Sequence, residues 1–371
     1  MAGMKIDRVE LRYLQVPLKA PFETSFGRFS VKDCIFVSVH SEGATGYAES
    51  VAFPAPYYNE ETTETVWHVL ERFLIPRLIG QELELPEEVS ALLSPIRRNY
   101  MAISSLEGAV WDLYCKRKGI SLAEALGGKK REIDVGVSIG IEPEVDMVLR
   151  NVERFVEQGY KRMKVKIKPG FDIRLLEAIR KRFGNELLLM ADANSAYTLE
   201  QIDLLKQLDD YDLMMIEQPL AHDDIVDHAV LQKRLRTPIC LDESIHTAED
   251  ARKAIELGSC RIMNIKIGRV GGLTNAKAIH DLCMRHDIPV WCGGMFELGV
   301  GRAHNIALSS LPNFTMPGDT SASDRYWTQD IVEPAVAFIR PGTLAVPSGH
   351  GIGYEINHKV LDRLTVRKSI F

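Results

Sequence analysis

The chain has 371 residues, which exceeds the ~250 of a typical (β/α)8 barrel by about one small domain. Apolar residues make up 46% and charged residues 26%, which excludes a disordered chain, and no run approaches the ~18 apolar residues of a membrane span. The formal net charge of −6 supplies no basic footprint for nucleic acid. The chain opens as a β-meander. Val9, Leu11 and Tyr13 alternate with Arg8, Glu10 and Arg12, and Ile35, Val37 and Val39 alternate with Phe36, Ser38 and His40. Glu42-Gly43 marks a turn before Gly46-Tyr47-Ala48-Glu49. Helices follow. Asn59 is the expected N-cap of one, with Val66, Val69, Leu70 and Phe73 on its apolar face. Ser104 and Glu107 have capping-box spacing ahead of another. Residues 1–127 thus read as an α+β unit.

After Gly127-Gly128 the rhythm changes to short apolar strands alternating with helix-length segments. Strands are expected at Val135–Ile139, Arg162–Ile167, Leu187–Ala191, Leu213–Ile216, Ile239–Leu241, Arg261–Ile265, Pro289–Trp291 and Asn313–Met316. Thr198 with Gln201, and Thr247 with Asp250, fit capping boxes between them. This is an α/β pattern of βαβ units, and eight strands favour a closed barrel over an open sheet. The barrel spans 128–324, and from about residue 325 the rhythm gives way to loops and short strands. No Gly-x-Gly-x-x-Gly opens a helix, so a dinucleotide site has no support. The six cysteines, Cys34, Cys115, Cys240, Cys260, Cys283 and Cys292, include no Cys-x-x-Cys pair. The opening residues lack the apolar core of a secretory signal, and a reduced, cytoplasmic setting is expected.

The residues ending successive barrel strands carry the chemistry. Lys166, Asp192, Glu217, Asp242 and Lys266 follow one another at intervals of 26, 25, 25 and 24 residues, one βα unit each. All five therefore fall at one phase, the C-terminal rim where barrel active sites are built. Adjacent carboxylates raise one another's pKa, and a hard divalent cation resolves the repulsion. Oxygen-only ligands favour Mg2+ over zinc. The lysines flank the triplet, and a lysine beside a cation can serve as a base. Any one of these residues alone reads better as a surface charge; the argument is the shared phase. Lys164 points to the same side as Lys166, with a structural or electrostatic role. Asn194 and Glu243 could orient the ligands or Lys266, local turn bonding being an equal reading. Gly293 and Met295 follow the seventh strand, where small residues suit close substrate approach or a simple turn. The histidines form no zinc motif, and His304 is expected to be structural.

These residues resemble the enolase superfamily, in its muconate-lactonising subgroup. The tighter resemblance is to the o-succinylbenzoate synthase / N-acylamino acid racemase family. It rests on Lys164-Val-Lys166, Met190-Ala-Asp192-Ala-Asn194, Met215-Ile-Glu217-Gln-Pro219, Cys240-Leu-Asp242-Glu-Ser244, Lys266-Ile-Gly-Arg269 and Gly301-Arg302-Ala-His-Asn305, with Val137-Ser138-Ile139 at the first strand. The resemblance implies a modified (β/α)7β TIM-like barrel with an α+β capping domain built from both chain ends, 1–127 completed by 325–371. It implies Mg2+, with Mn2+ as a substitute, on Asp192, Glu217 and Asp242, and acid/base lysines at Lys166 and Lys266. In the synthase reaction a hydroxy-cyclohexadiene carboxylate is dehydrated to 2-succinylbenzoate, a menaquinone precursor; in racemisation the two lysines alternate as base and acid. Phe22-Glu23-Thr24-Ser25-Phe26-Gly27 resembles a substrate-covering lid, and Tyr57 lies in a second covering loop. The partner implied is a small-molecule carboxylate; a homo-oligomer is expected because closed homo-oligomers are common. Arg269 fits both racemases and some synthases. An Asp-x-Asp expected of dipeptide epimerases has no match in Met316-Pro-Gly-Asp319-Thr-Ser321, and Lys266 argues against a mandelate-type His–Asp dyad. A racemase as the main role, muconate lactonisation and a non-catalytic binding barrel stand as alternatives.

Overall fold

The computed structural model describes residues 3–24 and 27–371. Seven parallel strands form one curled sheet: Val137–Ile139, Met163–Lys166, Leu189–Asp192, Ile216–Glu217, Ile239–Leu241, Ile262–Ile265 and Val290–Cys292. They lie side by side in chain order, each followed by a helix, as right-handed βαβ connections dictate. Their side chains are nearly all buried, because helices cover one face and the barrel interior the other. Met190, Met215, Cys240, Ile262 and Trp291 form a separate cluster of their own.

The eighth expected strand is the exception. Residues 313–316 make only isolated bridges, Phe314 with Val290, while Gly318 pairs with Val135. Pro317 has no N–H to offer a ladder, and its carbonyl is taken by Arg162 Nε at 3.0 Å. The seam between the seventh and first strands is closed by single bonds instead. Asp319 N donates to the Cys292 carbonyl at 2.9 Å, and Gly136 N to the Gly318 carbonyl at 2.7 Å.

The N-terminal part of the chain, joined by the final strand, builds a cap. An antiparallel sheet runs in the order Thr365–Ile370, Arg8–Thr24, Gly27–Ser41, Ala44–Ser50. Val9, Leu11, Ile35, Val37 and Val39 pack against Leu106, Val110 and Leu113 of helix Tyr100–Lys118. Beyond Leu11 the buried positions shift to Leu14 and Val16, which join Cys34 and Phe36 in the barrel's core. The sheet is therefore covered on both faces, which is why Phe36 is as buried as its neighbours.

Three helix expectations need correction. Asn59 is not a cap: helix Thr63–Val69 starts at Thr62, whose hydroxyl and Thr65 form a capping box. A π-turn over Leu70–Leu74 then rotates the apolar face by one residue, so Leu74 is buried and Phe73 is exposed. Ser104 lies inside helix Tyr100–Lys118, and Glu107 serves a different helix, described below. The capping boxes at Thr198/Gln201 and Thr247/Asp250 are present. All six cysteines are buried and free. Among the described residues no helix is long and apolar enough to cross a membrane.

Candidate active site

The strand register sets the rim. Lys166 pairs across the ladder with Asp192, and Asp192 with Glu217. Glu217 pairs with Cys240, two residues before Asp242. One ladder phase thus carries Lys166, Asp192 and Glu217 across three strands, with Asp242 just beyond the fifth and Lys266 just beyond the sixth. Asp192, Glu217 and Asp242 are all at most 1% exposed.

Each carboxylate is met by a cation. Lys166 Nζ lies 2.6 Å from Asp192 Oδ2 and 2.5 Å from Asn194 Oδ1. Lys164 Nζ reaches Asp319 at 2.6 Å, Glu217 at 3.2 Å and Asp192 at 3.6 Å. Lys266 Nζ donates to Asp242 Oδ2 at 2.8 Å and to the Tyr58 hydroxyl at 3.0 Å. Arg269 Nη1 holds the other oxygen of Asp242, and its Nη2 donates to the Asn264 carbonyl at 2.6 Å. Asn264 Nδ2 in turn donates to Glu217 Oε1 at 2.6 Å. Asn194 Nδ2 donates to Glu243 Oε1 at 2.9 Å, and Glu243 Oε2 has no hydrogen-bond partner among the described residues.

Burial opposes charge throughout, and the neighbours decide the outcome. Asp192 is desolvated, yet Lys166 and Lys164 bring its carboxyl down to about 2. Glu217 is pushed up by burial and by the Asp192 charge beside it. Lys266 is desolvated, yet Tyr58, Glu243 and Glu217 hold its ammonium above the ordinary lysine value.

Among the described residues no three His, Cys, Asp or Glu side chains are gathered into a shell around one point. The donor chemistry of Asp192, Glu217 and Asp242 nonetheless fits a hard divalent cation. All their donors are carboxylate oxygens on neighbouring strands, and Asp192 already repels Glu217.

Two cavities meet at this rim. An inner one of about 90 Å³ is bounded by Ser138, Lys164, Lys166 and Lys266 on the barrel side and by Phe22, Phe53 and Phe296 above. An outer one of about 830 Å³ shares Lys166, Asp192, Asn194 and Tyr58, and carries Glu243, Arg98 and His246. Phe22 packs edge-on against Phe296 and Tyr326, with ring centroids 5.1 and 5.9 Å apart. The arm carrying Phe22 passes so close to the first strand that a Cβ on Gly140 would lie 2.6 Å from the Glu23 carbonyl. Ser25 and Phe26 of the expected lid lie outside the described residues. A Cβ on Gly293 would lie 2.4 Å from Asn264 Oδ1 and 2.7 Å from Lys266 Cε, so the small residue there makes room for the lysine. Met295 lines the inner cavity, and its N–H donates to Glu297 Oε1 at 2.7 Å.

Tyr57 is 69% exposed and lines only the outer cavity; its neighbour Tyr58 is the one that reaches Lys266. Sequence reasoning also passed over Asp319 and Arg162. Asp319 pairs with Lys164 and, at 2.5 Å, with Arg162. Both cations hold its carboxyl well below the usual range despite burial. Asp319 stood in the stretch set aside for lacking Asp-x-Asp, and Arg162 is in the Lys164 strand's own phase. His304 is structural as expected, bonded to the Val300 and Gly108 carbonyls.

A carboxylate rim flanked by two lysines, under a cap made from the other part of the chain, defines a class of barrel enzyme. Residues 8–127 match the mandelate racemase / muconate lactonizing enzyme N-terminal domain, and residues 147–360 match the enolase C-terminal domain-like family. The chain belongs to the enolase superfamily and is an enzyme. It is 57% identical to the o-succinylbenzoate synthase of Geobacillus stearothermophilus, over all of this chain (100%) and 98% of that one. It is 48% identical to the N-succinylamino acid racemase of Thermus thermophilus, with 98% of each chain covered. Among solved structures, an enolase-superfamily protein from Listeria innocua superposes with a TM-score of 0.96 at 46% identity, covering 99% of each chain.

Proposed function

We propose that this enzyme is an o-succinylbenzoate synthase of menaquinone biosynthesis that also racemises N-succinylamino acids at the same site. The observation that carries this reading is the pair of lysines in one small cavity. Lys166 and Lys266 both line the inner pocket, and their strands are separated by three others in a curled sheet. Two lysines so placed can address opposite faces of one α-carbon.

Asp192, Glu217 and Asp242 would hold a divalent cation, Mg2+ with Mn2+ substituting. When bound, that cation supplies Lewis-acid stabilisation of the charge that develops beside a substrate carboxylate. Lys166 Nζ, the neutral amine in this step, takes the proton α to the carboxylate. The resulting ammonium then delivers that proton to the departing hydroxyl, which leaves as water. Lys266 stays an ammonium, fixed by Tyr58 and Asp242, and stabilises the negative charge from the other face. In racemisation the same atoms exchange roles: one lysine removes the α-proton and the other returns a proton to the opposite face. Asn194 orients Lys166. Phe22, Phe53 and Phe296 keep water from the carbanion-like species. We assign residues 1–127 and 325–371 to the cap and 128–324 to the catalytic barrel.

Racemisation as the main role is the second reading, favoured by the 48% identity to a named racemase. Parallel kinetics decide between them. The synthase reading expects kcat/KM for 2-succinyl-6-hydroxy-2,4-cyclohexadiene-1-carboxylate at least equal to that for N-succinylamino acids. A value several decades lower would overturn it. Chelation by EDTA is expected to abolish both activities, with recovery on adding Mg2+.

A further inference from the structure

One cation of the inner pocket has no acidic partner. Lys164, Lys166 and Lys266 are each tied to a carboxylate, whereas Arg302, 1% exposed, forms no ion pair among the described residues. Arg302 lies in the first turn of helix Gly299–Ser309 and lines the inner cavity with Ser321 and Tyr326. Its Nη1 donates to the carbonyl and, at 3.2 Å, to the hydroxyl of Ser321. Its Nε and Nη2 are buried and have no hydrogen-bond partner among the described residues. Those two nitrogens form one edge of the guanidinium plane, the edge that takes a carboxylate by two parallel N–H···O bonds.

A buried arginine with an unpaired edge is costly unless an anion arrives. The surroundings suit one. The Tyr326 ring lies 5.5 Å from the guanidinium carbon, and Phe22, Phe53 and Phe296 wall the same cavity, so little water screens the charge. Asp192, Glu217, Asp242 and Asp319 are already committed to Lys164, Lys166, Lys266 and Arg269.

We infer that Arg302 is the receptor for a second carboxylate on the substrate, the one at the far end of the acyl arm. The site then has two anion-reading ends. The reacting carboxylate sits at the Asp192–Glu217–Asp242 rim, and the terminal carboxylate of a succinyl arm docks on the free edge of Arg302. This assignment rests on the synthase/racemase reading for its ligand, and it makes Arg302 a specificity determinant for dicarboxylates. The unpartnered Asn305 Nδ2 and Thr320 Oγ1 offer the rival account, a buried water shared among these groups.

Calorimetric titration of the Mg2+-loaded enzyme with two inert probes separates these. One probe is 2-succinylbenzoate; the other, 2-butanoylbenzoate, carries a methyl group in place of the terminal carboxylate. The wild type is expected to bind the first about 10- to 100-fold more tightly, the range of one net hydrogen bond to a charged group. In Arg302→Gln that preference is expected to vanish, with butanoylbenzoate affinity changed less than threefold. Arg302→Lys is expected to keep part of it, having charge without the fork. The wild-type comparison needs no variant to fold. Equal affinity for both probes in the wild type, or equal loss of both in Arg302→Gln, would overturn the assignment in favour of a structural arginine. A wild type that discriminates between the probes yet turns over neither substrate class would sink the functional reading and leave the Arg302 site standing.

Discussion

Buried carboxylates occur in two settings in this molecule, and their partners differ. At the rim, Asp192, Glu217, Asp242 and Asp319 face ammonium and guanidinium groups on long side chains. At the joint between cap and barrel, carboxylates also hold backbone N–H groups. Glu107 accepts from Leu273 N at 2.8 Å and Thr274 N at 2.9 Å, the first turn of barrel helix Leu273–Arg285. Glu49 combines the two settings: its Oε1 accepts from Gly301 N at 2.7 Å, at the start of the next barrel helix, while its Oε2 pairs with Lys32 at 3.2 Å. Glu61 does the same inside the cap, for Met101 N at 2.8 Å and Ala102 N at 3.0 Å. A carboxylate at a helix start also gains from the helix dipole. Backbone amides cannot change partner without unwinding a helix, whereas a lysine stem can rotate to a substrate. The same carboxyl group therefore locks in one place and exchanges in the other.

Four experiments can break or sharpen this contrast. Lys166→Ala and Lys266→Ala are each expected to lower kcat by about 10³-fold or more, with melting temperature nearly unchanged. A loss below tenfold would remove the rim from the chemistry. Glu107→Ala leaves Leu273 N, Thr274 N, the Thr274 hydroxyl and Trp111 Nε1 without their acceptor. Urea unfolding should register about 3 kcal/mol of lost stability. A variant as stable as the wild type but catalytically dead would move Glu107 into the rim class.

The third experiment uses pH. Burial lifts the Glu61 carboxyl to about 7, its bonds to Met101 and Ala102 notwithstanding. A folded-state value above the unfolded one means the native protein binds this proton more tightly. The contribution is full below about 4.5 and lost as pH rises through about 7. It should amount to about 2 kcal/mol between pH 5 and 8, and Glu61→Gln should flatten that slope. An unchanged slope in the variant would assign the effect elsewhere. Smallest is the tyrosine pair: Tyr58→Phe should cost about fivefold in kcat through the lost bond to Lys266, and Tyr57→Ala less than twofold. The reverse order would mean that the exposed ring, not the buried one, meets the substrate.

The rim was legible because a βα unit repeats. Intervals of 24 to 26 residues put Lys166, Asp192, Glu217, Asp242 and Lys266 at one phase, and periodicity is a signal one sequence can carry. The joint was not legible. Glu107 and its amides at 273 and 274 are linked by no repeat, so Glu107 read as half of a local capping box with Ser104. Asp319 was missed for the same reason, its partners Arg162 and Lys164 lying on a strand more than 150 residues earlier. The Tyr57-Tyr58 doublet sits in a loop, where no period says which ring turns inward. In the cap, the π-turn at Leu70–Leu74 shifted the buried face from Phe73 to Leu74, and regular helical spacing cannot show such a shift. The eighth strand failed at Pro317, where composition looked extended but the ladder lacked a donor.

The strand Thr365–Ile370 pairs along Arg8–Thr24, from Thr365 opposite Leu14 to Ile370 opposite Glu10. The whole barrel sequence lies between these partners. During synthesis on the ribosome, the first long strand of the cap emerges early and must wait with one edge open until every barrel strand has been made. Pairing so distant in sequence is slow to form, and open edges invite association with other chains. The enzyme's vulnerable interval is thus its own translation, and a nascent chain stalled inside the barrel sequence would expose the Arg8–Thr24 edge.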